Sequence, residues 1–242
     1  MEPMDYSQTF TVSAGQTDPW GRCRPSALLG MLQDTAAEAS RSLGQDGPDL
    51  ERLCGGHWIL ARLRWHLDRP LRRGETVTVA TRYRGLQNAL IYRDSLLVVQ
   101  GREVGSAVTA WVVGDVVTRK MLWPDQLPEG LRKKAEAGPA LKKLRVPQDL
   151  PEAYVHTARY SDIDENGHVN NARYADFCCN ALSAEALGSG WVQTMELGYL
   201  NECRLGQRIV ICAGEQSGQW AVRGTIDGAA CFEARLELGE QG

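Results

Sequence analysis

No apolar stretch of this sequence approaches the roughly 20 residues of a membrane span. The opening residues, MEPMDYSQTF, contain neither a basic cluster nor an apolar run. A spanning helix and a secretory signal are therefore not expected. There is no CxxC pair either. The seven cysteines (23, 54, 178, 179, 203, 212 and 231) are odd in number and irregularly spaced. That argues against a disulfide framework or a zinc site and for reduced thiols in a cytosol. Lysine is scarce: there are five in 242 residues, and four of them share one stretch. The rest is ordinary, with 43% hydrophobic and 24% charged residues, the composition of a globular protein of one large or two small domains.

The net charge of −3 hides an asymmetry. Residues 1–150 carry 21 basic and 17 acidic side chains, whereas residues 151–242 carry 6 and 13. A basic half suits an acidic partner, although a solvated face gives the same count.

Five of the ten prolines and four of the five lysines fall in PDQLPEGLRKKAEAGPALKKLRVPQDLP. This reads as a linker, with room for a short helix, between two units. The expected division is an N-terminal unit over 1–123, a linker over 124–152 and a C-terminal unit over 153–242. The two units share a plan. In the second, strand AYVHTARYS leads to a polar loop and then to one helix, NNARYADFCCNALSAEALG. Asn170 or Asn171 would cap it and Gly188 would stop it. Tyr174, Phe177, Cys178, Ala181 and Leu182 make its apolar stripe, which places Cys178, and Cys179 beside it, in a core. Strands are expected near 191–201, 208–213, 219–226 and 230–238.

In the first unit, strand QTFTVSA leads to QTDPWGRCRPS and a helix striped by Leu28, Met31, Leu32, Thr35, Ala36 and Ala39. Strand WILARLRWHLD follows, with Ile59, Ala61, Leu63, Trp65 and Leu67 on one face. Further strands are expected near 75–84, 88–100, 103–113 and 115–122. Asp18 matches Asp164 and Gly21 matches Gly167 at a single offset of 146. This is the mark of a duplicated strand–helix–strands unit. A lone amphipathic helix among antiparallel strands buries its stripe only on a sheet, so each sheet should wrap a helix. Two such sheets could join edge to edge and hide an edge strand each.

The polar loop, DIDENGHVNN, invites comparison with a calcium loop. Asp162, Asp164, Asn166 and Gly167 suit positions 1, 3, 5 and 6 of an EF-hand, and Val169 suits position 8. Position 12, however, is Arg173, a cation where the last carboxylate belongs, and a strand rather than a helix precedes the loop. The calcium reading fails.

YSDIDENGHVNNARYADF together with the later LGYLNECRLGQRI resembles the acyl-acyl-carrier-protein thioesterases, bacterial and plant. HWILARLRWHLDRPLRRGETVTVATR resembles the first-half strands of that family, and the likeness covers nearly the whole chain. It implies an α+β fold of two tandem hotdog units, each an antiparallel sheet wrapped around one long helix. It implies hydrolysis of the thioester joining a fatty acyl chain to the phosphopantetheine arm of an acyl carrier protein, with no cofactor and no metal. Plant members carry an N-terminal transit region. Here the first strand comes almost at once, which suggests a bacterial cytoplasmic enzyme or a mature form.

By the same resemblance Asp164, Asn166, His168, Glu202 and Cys203 are the candidate catalytic residues. Two mechanisms fit. A carboxylate, Glu202 or Asp164, could act as base or nucleophile with Asn166 and His168 positioning water and substrate. Alternatively Cys203, His168 and Asn166 could form a nucleophilic group. Neighbours on a strand point to opposite faces, so only one of Glu202 and Cys203 readily faces the site, and the other charged residues there favour Glu202. The N–H groups of Val169 and Asn170, just before a helix, are candidate oxyanion donors. In the first unit the matching positions are Asp18, Trp20 and Arg22, so that half should have lost catalysis. It should line the acyl chain with Leu28, Leu29, Leu32, Trp58, Ile59 and Leu60. His57, His66 and His156 receive no role.

The expected partner is an acidic acyl carrier protein, docked by part of a basic set in which Arg72, Arg73, Lys142 and Lys143 stand out. Arg62 and Arg64 should face solvent. An acyl-CoA thioesterase, a non-catalytic acyl-binding protein and a dehydratase are the same-fold rivals. No segment is left over for a DNA-reading helix-turn-helix, so no nucleic acid is expected. The oligomeric state stays open, with room for a homodimer.

Overall fold

The computed structural model describes residues 4–240, so the outermost ends of the two expected units, 1–3 and 241–242, lie outside the described residues. The first half runs β1 (Tyr6–Thr11), α1 (Pro25–Ser42), α2 (Gly47–Cys54), β2 (Gly56–Leu67), β3 (Thr76–Gln87), β4 (Leu90–Val99) and β5 (Arg102–Asp115). The second runs β6 (Glu152–Thr157), α3 (Arg173–Asn180), α4 (Ala184–Ser189), β7 (Gly190–Tyr199), β8 (Arg208–Gln216), β9 (Gln219–Ile226) and β10 (Ala229–Glu240). All ten strands join one antiparallel sheet in the order β1-β3-β4-β5-β2-β7-β10-β9-β8-β6. Exchanging the halves leaves this order unchanged, so the duplication expected from the sequence is a pseudo-two-fold about the β2–β7 seam. There Arg62 faces Gly198 and His66 faces Thr194. Each half thereby hides one edge strand in the other.

α1 begins with Pro25 in its first turn, where a missing N–H costs nothing. Its stripe of Leu28, Met31, Leu32, Thr35, Ala36 and Ala39 is buried as expected. The buried Thr35 hydroxyl donates to Met31 O at 2.8 Å. The chain leaves the helix through Gly44 at φ +65°. α3 presses Tyr174 edge-on against Phe177, Tyr199 and Phe232, with ring centroids 5.1–5.6 Å apart. One core spans both halves, joining Leu28, Leu63 and Trp65 to Phe177, Leu197 and Phe232. Each such side chain contributes about 1.5–3 kcal/mol on burial. A smaller cluster lies under α2, around Leu50, Ile91, Val113 and Leu131.

Several expectations fail locally. The second half has two short helices rather than one long one, because the Ser183 hydroxyl caps a new start by accepting from Ala186 N at 3.1 Å. Gly188 lies inside α4, where a Cβ would meet the Trp20 ring at 3.3 Å. α3 starts at Arg173 after Ala172, and Asn170 serves the turn before it, accepting from Ala172 N at 2.8 Å. α2 was not among the expected elements, although Asp46 caps it by accepting from Asp49 N at 3.1 Å, a proline sits in its first turn and Gly55 ends it at φ +64°. Residues 116–122 form a turn with one bridge, Gly114 to Met121, and not a strand. A bulge between Leu60 and Arg62 breaks the alternation of β2. Leu60, Leu63, Trp65 and Leu67 are buried, while Ile59 and Ala61 are only half-buried.

The proline-rich stretch is a strap with two 3-10 turns, Pro124–Gln126 and Glu129–Leu131. It pairs with the edge of β3, Ala135 N donating to Leu86 O at 2.9 Å. It then crosses the outer face of the sheet. Arg84 and Arg62 donate to Pro139 O and Leu141 O, Arg235 donates to Arg145 O, and Leu144 and Val146 pack with Ala221. Arg62 is therefore covered by the strap. Arg64 stays exposed, 3.4 Å from Glu196.

Candidate active site

The loop between β6 and α3 is held by its own carboxylates. Asp164 Oδ1 accepts from Asn166 N at 2.9 Å and from His168 N at 3.4 Å. Gly167, at φ +77°, closes the turn by donating to Asp164 O at 3.0 Å. Asp162 Oδ2 accepts from Arg159 N and meets His156 Nε2, both at 2.8 Å. The loop is tied to the chain after β7 by Val169 N donating to Cys203 O at 2.7 Å.

That tie brings His168 against Glu202, with Nε2 and Oε2 2.8 Å apart. The His168 side chain is 17% exposed and that of Glu202 45%. Arg204 stands 3.7 Å from the same carboxylate oxygen. Such a pair can draw a proton from water, the imidazole or carboxylate accepting and its partner stabilising the charge that develops. Asp164 is on the same loop, but its hydrogen bonds are those of a scaffold. Asn166 is exposed, and its side chain makes no hydrogen bond among the described residues.

Of the two mechanisms, the nucleophilic-cysteine alternative loses its support, and the expected oxyanion donors need correction. Cys203 is fully buried and faces the core. Burial, reinforced by Asp162, pushes its thiol up to about 11, so the thiolate a nucleophile needs is suppressed. Val169 N–H and Asn170 N–H are both occupied, by Cys203 O and by Asp162 O at 2.8 Å, so neither is free for an oxyanion. The next amide, Asn171 N–H, has no partner among the described residues. Its side chain reaches Gln33 of α1 at 3.5 Å, and its carbonyl accepts from Tyr199 Oη at 2.9 Å.

The residues expected to line the acyl chain are spread through the first half. A cavity of about 370 Å³ lies beside the first-half loop, lined by Trp20, Leu28, Trp65, Leu71, Trp191 and Val192 among others. Of the six expected residues only Leu28 lines it. Leu29, Leu32 and Leu60 are packed core. Trp58 packs on the cluster under α2 and donates to Gln45 O. Ile59 crowds Gly114. His57, given no role from the sequence, is the second residue of β2, and burial first, then Arg119, holds it below the ordinary histidine value despite Glu202. A lone histidine carries no spacing signal.

Of the expected docking residues, Arg72 and Arg73 are exposed beside the first-half loop, where Arg72 donates to Trp20 O at 3.3 Å. Lys142 and Lys143 are exposed on the strap.

Two helix-bearing halves fused through a single antiparallel sheet, with an intact polar loop in one half, define a tandem hotdog protein. The acyl-ACP thioesterase N-terminal domain model matches residues 3–127 and the acyl-ACP thioesterase C-terminal domain model residues 148–230; the chain belongs to the acyl-ACP thioesterase family. It is 26% identical over 219 residues to a chloroplastic palmitoyl-acyl carrier protein thioesterase of Gossypium hirsutum, covering 82% of this chain and 52% of that one. The chain spans about half the length of the curated relatives it matches first. Its fold matches an acyl-ACP thioesterase from Bacteroides thetaiotaomicron (TM-score 0.86, 22% identity, 96% and 97% of the two chains). It also matches the 12:0-ACP thioesterase from Umbellularia californica (TM-score 0.83, 21% identity, 97% of each). No helix among the described residues is long and apolar enough to cross a membrane.

Proposed function

We propose that this protein hydrolyses fatty acyl-acyl-carrier-protein to free fatty acid and the carrier thiol. The observation that carries the reading is the 2.8 Å contact of His168 Nε2 with Glu202 Oε2, set in a chain whose family is established over both halves. The Glu202–His168 pair takes a proton from water as its oxygen attacks the thioester carbonyl carbon. The carbon–sulfur bond then breaks, and the departing sulfur recovers a proton. Asn171 N–H is the candidate oxyanion donor, since the two amides before it are occupied. Asp164 keeps the loop in shape, and Asn166, exposed beside it, contacts water or substrate.

In this reading 1–123 is the non-catalytic half that receives the acyl chain, 124–152 is the strap and 153–242 is the catalytic half. The carrier docks on basic side chains. Arg204 beside Glu202 is 61% exposed and joins Lys142 and Lys143 as candidates. Arg72 and Arg73 flank the other loop and are weaker ones. A cytoplasmic setting fits seven cysteines that are all free thiols. The deciding experiment offers carrier proteins bearing acyl chains of eight to eighteen carbons, with acyl-CoA of the same lengths in parallel. Released acid and thiol are both quantified. Hydrolysis of CoA esters alone would move the assignment to an acyl-CoA thioesterase, and no release from either would end it.

A further inference from the structure

The cavity beside the first-half loop is distinct from the Glu202–His168 pair. It touches Trp191 and Val192 at the start of β7, and Asp176, Cys179 and Asn180 at the end of α3. β7 ends at Tyr199, about 25 Å from Trp191 at the rise of a strand, and Glu202 lies beyond that end. His168 precedes the other end of α3. None of His168, Asn171 and Glu202 lines the cavity. At the offset of 146 the loop that does line it has Arg22 in place of His168 and Pro25 in place of Asn171. A carbonyl held here meets no imidazole and no free amide from that loop. The cavity can bind a ligand but has nothing to hydrolyse it with.

What it can bind follows from its walls. Leu28, Trp65, Leu67, Leu71, Trp191 and Val192 line it with buried side chains. Its volume of about 370 Å³ falls within the roughly 300–1,000 Å³ of small-molecule sites. Charge is confined to a few lining residues, and most of it is paired. Arg22 meets Asp18 at 2.7 Å, and Asp176 meets Arg173 at 3.2 Å. Arg24 is left over. It is exposed, its Nε donates to Thr17 O at 2.8 Å, and its two terminal nitrogens have no partner among the described residues. Apolar walls with one uncompensated guanidinium suit an apolar chain ending in a single carboxylate, which a guanidinium binds through two parallel N–H bonds. A polyanion would meet Asp18 and Asp176 as well.

We infer that this cavity is a second, non-hydrolytic site for a free fatty acid, with the chain among the tryptophans and the carboxylate on Arg24. The ligand class is read from the cavity. Only its source, the acid released at the Glu202–His168 pair, rests on the thioesterase reading.

Calorimetry on the whole protein tests it with decanoate and its neutral counterpart, decanol. The catalytic site is first saturated with S-decyl pantetheine, a thioether that cannot be hydrolysed. Decanoate should still bind. Arg24→Gln should weaken decanoate about fivefold, the scale of an exposed ion pair, and leave decanol unchanged. Leu187→Trp, which fills the cavity from α4, should remove binding of both. Neither substitution touches the catalytic pair, so hydrolysis without added acid should proceed as before. Displacement of all decanoate by S-decyl pantetheine would make the cavity the substrate's own. Equal weakening of both ligands by Arg24→Gln, or binding that survives Leu187→Trp, would place the acid elsewhere. Each of these outcomes, or no binding by the unaltered protein, would overturn the proposal. Were that protein to hydrolyse no thioester, the hydrolase reading would fall, and the decanoate comparison would still decide the cavity.

Discussion

Arg22 stands in the first half where His168 stands in the second. Arg22 bridges to Arg72 as His168 bridges to Arg204, and Asp18 N donates to Arg22 O at 2.8 Å as Asp164 N donates to His168 O at 2.9 Å. The residue two before Arg72 is Pro70, whereas the residue two before Arg204 is Glu202. At the offset of 146, Asn171 answers to Pro25, which has no N–H. The first half has thus lost the imidazole, the carboxylate and the free amide. Arg22 has turned structural, 3% exposed and donating to Asp18 Oδ2, Leu187 O and Gly190 O.

Arg22→Ala should therefore destabilise the fold. It strands a half-buried carboxylate and two carbonyls, and unpaired polar groups of this kind cost about 1–3 kcal/mol each where water cannot reach them. Urea unfolding would measure it; a loss of under about 1 kcal/mol would show that water replaces the guanidinium without penalty.

Glu202→Gln and His168→Ala should each lower kcat by about 10² or more, the usual scale for removing a general base. Asp164→Asn should cost less, because an amide oxygen can still accept from Asn166 N. Steady-state rates of the folded variants would rank them. An Asp164→Asn as inactive as Glu202→Gln would give Asp164 a chemical role beyond the loop.

Cys203 should be inert. Burial first, then Asp162, pushes its thiol up to about 11, so the reactive thiolate is scarce near neutral pH. Iodoacetamide at pH 7.5 should leave Cys203 unmodified in peptide mass analysis, and Cys203→Ala should keep most activity. A trapped acyl-enzyme on this sulfur would reverse the assignment.

His57 should shape stability on the acid side. The folded protein holds it below the ordinary value of 6.5, so on acidification the unfolded chain takes up its proton first. Its contribution to stability is full above about pH 6.5 and falls with pH until the lowered folded value is passed. His57→Gln should flatten that part of the profile in unfolding experiments between pH 8 and 5. An unchanged profile would mean that the ring is protonated equally in both states.

Activity on acyl-carrier-protein should fall with added salt more steeply than activity on a short neutral thioester, because exposed charges are screened over about 8 Å at physiological ionic strength. Reversing Arg204, or Lys142 with Lys143, should raise KM for the carrier; reversing Arg72 with Arg73 should do so less. Parallel KM values at low salt would show which face receives the carrier.

The sequence by itself determined the duplication, the helix stripe of α1, most strands and the loop bearing His168, because each is written in local periodicity or in a short motif. It also paired that loop with Glu202 through the resemblance to a family. Tertiary structure decided the rest. The bulge in β2 and the break at Ser183 are settled by packing and capping, which override a regular pattern. Val169 and Asn170 looked like free amides until the chain after β7 and the turn at Asp162 took their hydrogens. Strand alternation favoured Glu202 over Cys203, yet both lie beyond the end of β7, and the fold turns one toward His168 and the other into the core. A contact between residues 128 apart, such as His66 Nδ1 and Thr194 Oγ1 at 3.0 Å, exists only once two sheets have joined edge to edge, and no local pattern records that pairing.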